Sequence, residues 1–433
     1  MKRLAIVVQR YGIEVNGGSE FYARLLAERL SRYYYVEVLT TCAIDYETWR
    51  NEYKPGVDYI NNVKVRRFPV NTERDPILFR KLSERMLSRR HTYIDEINWM
   101  YAQGPQSHAL LDYIKDNHEQ YKRIVFMTYL FFTTFFGMQL VPYKSVMIPT
   151  AHDEFPIYFD IYRHFFHIPV SIVYNSVEEK RLINSLFHNE YIKSEVVGIG
   201  IDVPQFDRDK EFLVGANYII YVGRIDESKG CKELCEFFIR YKAKCGGDGL
   251  DVANETKKEV ETDSANEVYG LNDAYGTDVL DEANGTREIH RNTATGLKLV
   301  LVGKKYMEIP EHKDIIYAGF LSEEDKLLAM NNAKLLVLPS IYESLSMVVL
   351  ESMYLGKPVL VNSKCKVTKG HCQRSNAGLY YSNYPEFHEM LNLMLTNEEL
   401  RISMGRNGSK YVKDNYNWEV IENQLINLIE HIR

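Results

Sequence analysis

Along this 433-residue chain, short runs of consecutive apolar residues alternate with longer stretches in which apolar positions recur at helical spacing. Runs at 4–8, 35–40, 63–70, 123–128, 145–150 and 169–175, then from 218 and at 297–303, 315–320, 335–338, 359–362 and 378–382, predict strands, the shortest of them buried on both faces. The intervening stretches predict helices, so the fold class is α/β, with doubly wound parallel sheets. The length exceeds what one core ordinarily fills, and two or three domains are expected.

The pattern is densest at 333–361. There a buried strand at 335–338 is stopped by Pro339-Ser340, a loop follows, and Met347, Val348, Leu350, Met353 and Tyr354 recur at helical spacing up to Gly356, a C-terminal cap before the next strand. Glu343 then lies beyond the carboxyl end of a strand, where open α/β sheets bind ligands. Glu351 lies one to two turns inside the helix, and both can face one crevice. The amides of the helix's first turn, at Ser346 and Met347, point into that crevice and favour a phosphate.

Composition narrows the class. Hydrophobic residues make up 45% and charged residues 26%, as in an ordinary globular chain. No apolar run reaches membrane-spanning length and the start is not a signal peptide, so a cytoplasmic location is expected. Residues 246–296 hold twelve acids against four bases, which leaves +2 on the remainder of a chain of net charge −6 and gives no support for nucleic-acid binding. That segment, poor in large apolar residues, is expected to be a flexible surface insertion. The six cysteines form no Cys-x-x-Cys pair, and reduced, unligated thiols are expected. Asp207 and Asp209 make a formal Asp-x-Asp, but no strand precedes it, and chance explains it; no metal site is expected.

Three further stretches carry chemistry. The first strand runs into Gly17-Gly18 and a helix with Phe21, Leu25, Leu26 and Leu30, with Ser19 expected as its N-cap; no Gly-x-Gly-x-x-Gly follows, which argues against a nicotinamide site. The strand at 145–150 delivers His152, beside Asp153, to the carboxyl edge of the sheet. At the end of the strand from 218, Arg224 and Lys229, the latter expected at the start of the next helix, bring two cations to one place, and a pyrophosphate is their natural partner. Nearby aromatics (Tyr129, Phe131, Phe132, Phe135, Phe136, Phe155, Tyr158, Phe159, Tyr162) are expected mostly in the core, with some able to line an acceptor groove. The helix expected at 78–91 has Leu78, Leu82 and Met86 along one side with Arg80, Lys81, Arg85, Arg89 and Arg90 around them. That fits a helix lying on an anionic membrane surface, or a solvated face over a core-packed helix.

Glu, seven residues, Glu, inside Pro-Ser-x-x-Glu-Ser-Leu-Ser and Leu-Glu-Ser-Met and followed by Gly-Lys-Pro-Val, resembles the signature of retaining glycosyltransferases of family 4. Gly-Arg followed by Lys-Gly resembles their second signature, and many members have Gly where Ser346 stands. The resemblance covers nearly the whole chain apart from 246–296. It implies the GT-B fold: a Rossmann-like acceptor domain at 1–200, a Rossmann-like nucleotide-sugar domain at 201–415, with a hinge near 196–206, and a C-terminal helix at 416–433 crossing back. It implies that Glu343 contacts the transferred sugar, Glu351 holds the ribose, Arg224 and Lys229 steady the leaving diphosphate, Gly17 and Gly18 lie against donor phosphates and acceptor, and His152 contacts the sugar. The partners would be a nucleotide sugar and a glycan or lipid-linked acceptor, with no cofactor, in cell-surface polysaccharide synthesis. Two alternatives keep the same pocket: a sugar-nucleotide epimerase or hydrolase of the same fold, and a non-catalytic partner subunit.

Overall fold

The computed structural model describes residues 1–15, 17–88, 90–213, 217–246 and 296–431. The acidic segment expected at 246–296 lies, from 247 to 295, outside the described residues. The chain forms two α/β domains, each built on one sheet.

The first sheet contains β1 (Arg3–Val7), β2 (Tyr35–Thr41), β3 (Gly56–Ile60), β4 (Val63–Phe68), β5 (Arg123–Met127), β6 (Ser145–Ile148), β7 (Ser171–Tyr174) and β8 (Lys193–Val196), in the order β3-β4-β2-β1-β5-β6-β7-β8. All neighbours are parallel except the β3–β4 hairpin. The second sheet, β9 (Asn217–Val222), β10 (Leu297–Val302), β11 (Ile315–Gly319), β12 (Leu336–Leu338), β13 (Val359–Asn362) and β14 (Gly378–Tyr381), runs β11-β10-β9-β12-β13-β14 and is wholly parallel.

The apolar runs have a direct cause. Successive strand residues face opposite sides, so in β1 Leu4 and Ile6 enter one core layer while Ala5 and Val7 enter another. Both faces are covered by helices, and every one of those positions must be apolar. The carboxyl ends of the central strands β1, β6, β9 and β12 deliver the loops that form the site.

The last helix, Trp418–His431, packs against the first domain. Trp418 sits over Arg29 and against Gly200, Glu422 bonds Tyr33, and Glu430 accepts from Lys2, Tyr34 and Lys122. The helix expected at 78–91 is Pro76–Ser88, with Arg89 outside the described residues. Of its apolar residues only Met86 is buried, whereas Ile77, Leu78 and Leu87 are each more than 60% exposed.

Candidate active site

The loop after β12 brings Glu343 to Lys229: Lys229 Nζ is 2.8 Å from Glu343 Oε1 and 3.3 Å from the Tyr342 carbonyl oxygen. Lys229 is not at a helix start, as expected, but in the short 3-10 turn Glu227–Lys229 that precedes the helix from Cys231. Asp226 caps that turn, accepting from the Lys229 N–H at 2.9 Å and the Ser228 hydroxyl at 2.6 Å. Its other oxygen is 3.6 Å from Arg224 Nε, so one carboxylate ties the Lys229 backbone to the Arg224 side chain. Arg224 is exposed, and its backbone is held by the Tyr221 hydroxyl, which donates to its carbonyl at 2.6 Å.

Across the loop the helix Met347–Tyr354 begins after Ser346, which holds φ +66°, a conformation that costs a non-glycine residue roughly 1–2 kcal/mol. The positive φ accounts for glycine being at home in this position. One turn in, Glu351 is buried and its carboxylate lies 3.1 Å from Lys326 Nζ, on the helix Glu323–Asn332. Burial pushes the Glu351 carboxyl up and Lys326 partly offsets this. Burial also works to lower Lys326, but Glu351 and Glu323 outweigh it and keep the ammonium charged.

From the first domain, the β6 end carries Thr150 at φ +50°, an unusual conformation for a β-branched residue, two positions before His152. Glu179 holds this loop: its Oε1 accepts from the Ala151 N–H and its Oε2 from the Asn175 N–H, each at 2.6 Å. Burial raises the Glu179 carboxyl to about 8, against the pull of these backbone donors. His152 Nε2 lies 3.4 Å from Glu154 Oε2, and Tyr129 donates to the other Glu154 oxygen at 3.0 Å. The His152 ring is 5.9 Å from that of Tyr342, so the strand end of one domain meets the Glu343 loop of the other. Asp153 turns elsewhere, to Tyr158 and, at 3.4 Å, to Lys366 of the second domain.

At the β1 end, Gly17 stands at φ +148° and a Cβ there would meet Glu20 Oε2 at 2.1 Å, so a side chain would be strained and would have to displace the Glu20 carboxylate. Gly18 opens the helix Gly18–Leu30, with nothing near its Cβ position. Ser19 is therefore not the N-cap: it lies in the first turn and its hydroxyl bonds Glu20. Glu20 is itself fixed by buried Arg10 and by Gln9. Among the aromatics, Tyr129, Phe131, Phe132, Phe135, Phe159 and Tyr162 are buried, while Tyr158 is exposed.

The structure thus brings His152, Lys229 and Glu343 together, with Arg224 joined through Asp226 to the backbone of the Lys229 turn and Glu351 inside the adjoining helix. Lys326, Glu154, Glu179 and His371 escaped the sequence reading; only Glu154 lay beside a residue already singled out. His371 is fully buried with Nε2 3.0 Å from the Leu345 carbonyl oxygen, and burial lowers it from 6.5 to about 3. Below its ordinary value the unfolded chain takes up a proton that the folded chain refuses, so stability falls with pH. As pH drops from about 6.5 toward 3, wild type is expected to lose stability faster than His371→Gln, by up to about 1.4 kcal/mol per pH unit, in denaturant titrations across that window. Parallel pH profiles would show that His371 is not the linked group.

Among the described residues, no three His, Cys, Asp or Glu side chains gather as a metal would require. Asp207 Oδ1 accepts from the Asp209 N–H at 3.1 Å in an exposed turn.

Residues 286–411, which contain Glu343 and Glu351, match the family model of glycosyl transferases group 1. No curated protein matches the sequence. Among solved structures the chain is similar to sucrose-phosphate synthase from Thermosynechococcus elongatus, at 15% identity and TM-score 0.64, covering 100% of this chain and 99% of that one. It is similar to WaaG, a glycosyltransferase involved in lipopolysaccharide biosynthesis, at 14% and 0.59, covering 99% and 100%. It is also similar to Alr3699/HepE of Anabaena in complex with UDP and glucose, at 11% and 0.61, covering 99% and 100%. Two Rossmann-like domains with this full-length likeness define the GT-B fold. The segment carrying both glutamates is a glycosyl transferases group 1 domain, and the protein is a glycosyltransferase.

Proposed function

We propose that the protein is a retaining, metal-independent transferase that moves a sugar from a nucleoside-diphosphate sugar to a glycan or lipid-linked acceptor in cell-surface polysaccharide synthesis. The observation that carries it is the convergence of Lys229 and Glu343 at the N-terminus of a helix, opposite His152. In this reading Arg224 and Lys229 neutralise the departing diphosphate, and the Ser346 and Met347 amides add to them. Fixed cations and helix amides thereby take the part a metal plays elsewhere. Glu343 positions the transferred sugar, and Glu351, held by Lys326, takes the ribose hydroxyls. His152 contacts the sugar from the other domain, while Gly17 and Gly18 allow backbone to approach the donor phosphates and the acceptor. Closure of the cleft would exclude water and limit hydrolysis.

Alr3699/HepE was solved with UDP and glucose, and a trehalose-6-phosphate enzyme of E. coli with UDP-2-fluoro glucose, which makes UDP-sugars the first donors to test. Thermal unfolding would be followed with UDP-, GDP- and ADP-sugars, with and without EDTA, on wild type and Arg224→Ala. A ligand at about 100 times its dissociation constant adds roughly 2.7 kcal/mol, a readable shift. Stabilisation by one nucleotide that survives EDTA and is lost in Arg224→Ala supports the reading; no stabilisation by any of the three sinks it.

The acceptor's lipid would bring the enzyme to a membrane. Among the described residues no helix is long and apolar enough to cross one. Exposed Ile77, Leu78 and Leu87, with Tyr93 and Ile94 of the next helix, are flanked by exposed Arg80, Lys81, Arg85 and Arg90, which suits a peripheral contact with anionic lipid. The protein is expected to sediment with phosphatidylglycerol-containing vesicles and not with phosphatidylcholine vesicles, and Leu78→Asp/Leu87→Asp is expected to abolish this. Equal sedimentation of the double variant would count against the contact.

A further inference from the structure

His371 lies behind the loop that carries Glu343, on the helix Lys366–Ser375, enclosed and away from the proposed sugar contacts. Its Nε2 is 3.0 Å from the Leu345 carbonyl oxygen and its Nδ1 is 3.1 Å from the Tyr411 hydroxyl. A carbonyl only accepts, so Nε2 carries the proton; the ring is held neutral by burial, so Nδ1 accepts from Tyr411. The Tyr411 oxygen in turn lies 3.4 Å from Arg374 Nε, which can donate to it. Arg374 forks onto both oxygens of Glu178, on the helix Val177–Phe187 of the first domain. Gly370 makes room for that contact, since a Cβ there would stand 2.3 Å from Glu178 Oε1.

The Leu345 carbonyl matters because of the other end of its peptide. A trans peptide holds C=O and N–H on opposite sides of its plane. Drawing Leu345 O inward to His371 therefore turns the Ser346 N–H outward, to the crevice at the helix N-terminus. Ser346 stands at φ +66°, and its own hydroxyl has no partner to keep it there. The restraint comes from the neighbouring peptide instead.

We propose that His371 is a positioning residue for diphosphate recognition. Its Nε2–H bond to Leu345 locks the Leu345–Ser346 peptide with the Ser346 N–H aimed at the donor diphosphate, and the chain through Tyr411 and Arg374 to Glu178 ties that setting to the first domain. This rests on the reading of the crevice as a nucleotide-sugar site.

Calorimetric titration of wild type with UDP, GDP and ADP identifies the nucleotide it binds; that nucleotide and its nucleoside are then titrated into His371→Leu, His371→Gln and Tyr411→Phe. Glutamine keeps an amide N–H within reach of the Leu345 carbonyl. His371→Leu is expected to bind the diphosphate about tenfold more weakly, the worth of about one hydrogen bond to a charged group, with nucleoside affinity nearly unchanged. His371→Gln is expected to recover most of the loss, and Tyr411→Phe to fall between. Equal weakening for nucleoside and diphosphate, or unchanged diphosphate affinity, overturns the proposal. If His371→Leu does not fold, Tyr411→Phe decides in the same way. A wild type that binds none of the three nucleotides overturns the nucleotide-site reading itself, and this inference with it.

Discussion

Lys229→Ala is expected to lower nucleotide-sugar turnover by about 100-fold or more, the scale on which removing one preorganised charge donor acts. The substitution does two things at once. It removes the ammonium nearest Glu343, leaving Arg224, which is exposed and so screened by water, as the cation beside Asp226. It also leaves the partly buried Glu343 carboxylate without its counter-charge, where it repels an incoming diphosphate. Lys229→Arg keeps the charge but replaces a compact ammonium by a planar fork, and an intermediate rate is expected. Release of nucleoside diphosphate, followed under saturating donor, measures both variants. Turnover of Lys229→Ala within about threefold of wild type would remove Lys229 from the chemistry, since a transition-state donor is worth far more than that.

Trp418→Ala is expected to destabilise the protein by about 3–5 kcal/mol, as a large aromatic deleted from a packed site does. Trp418 is 6% exposed, its ring lies where a Cβ on Gly200 would be 2.4 Å away, and the Arg29 guanidinium sits 4.8 Å from its centre. The ring opens the last helix and seats it at the join between the domains. Losing it should loosen the Glu422 and Glu430 contacts further along, so the fall should exceed that of Trp418→Phe, which keeps most of the volume. Urea midpoints for both variants test this. A loss of less than about 1 kcal/mol would mean that the helix is seated by its charged contacts, which surface ion pairs of this kind rarely achieve.

Much of the scaffold was legible because parallel strands with both faces covered must be apolar throughout. β1, β5, β6, β9, β10, β12 and β13 announce themselves in this way. β3 and β8 do not: four of the five residues of β3 are exposed, and β8 reads Lys-Ser-Glu-Val, so nothing in either demands burial. Edge strands are set by pairing with a neighbour, which leaves little mark on their composition. The helix expected at 78–91 does pack on the core, but through Phe79, Leu82 and Met86 instead of Leu78, Leu82 and Met86. Its periodicity is real, but only the neighbouring elements decide which apolar face is covered, and they cover Met86 and not Leu78.

The same division runs through the site. The sequence by itself determined the local units: Glu343 and Glu351 on one loop and helix, Arg224 and Lys229 on one strand end and turn, His152 at the end of β6. These depend on spacing within a single strand–loop–helix unit. Tertiary structure alone decided the partners, because Lys229 meets Glu343 across 114 residues, Lys326 meets Glu351 across 25 and His371 meets Leu345 across 26. It also placed Ser19 inside a helix turn instead of at its cap, which Gly17 occupies. Short-range spacing records which groups a loop can present; a charge or hydrogen bond between distant elements is chosen only when the sheets stack those loops at a common edge.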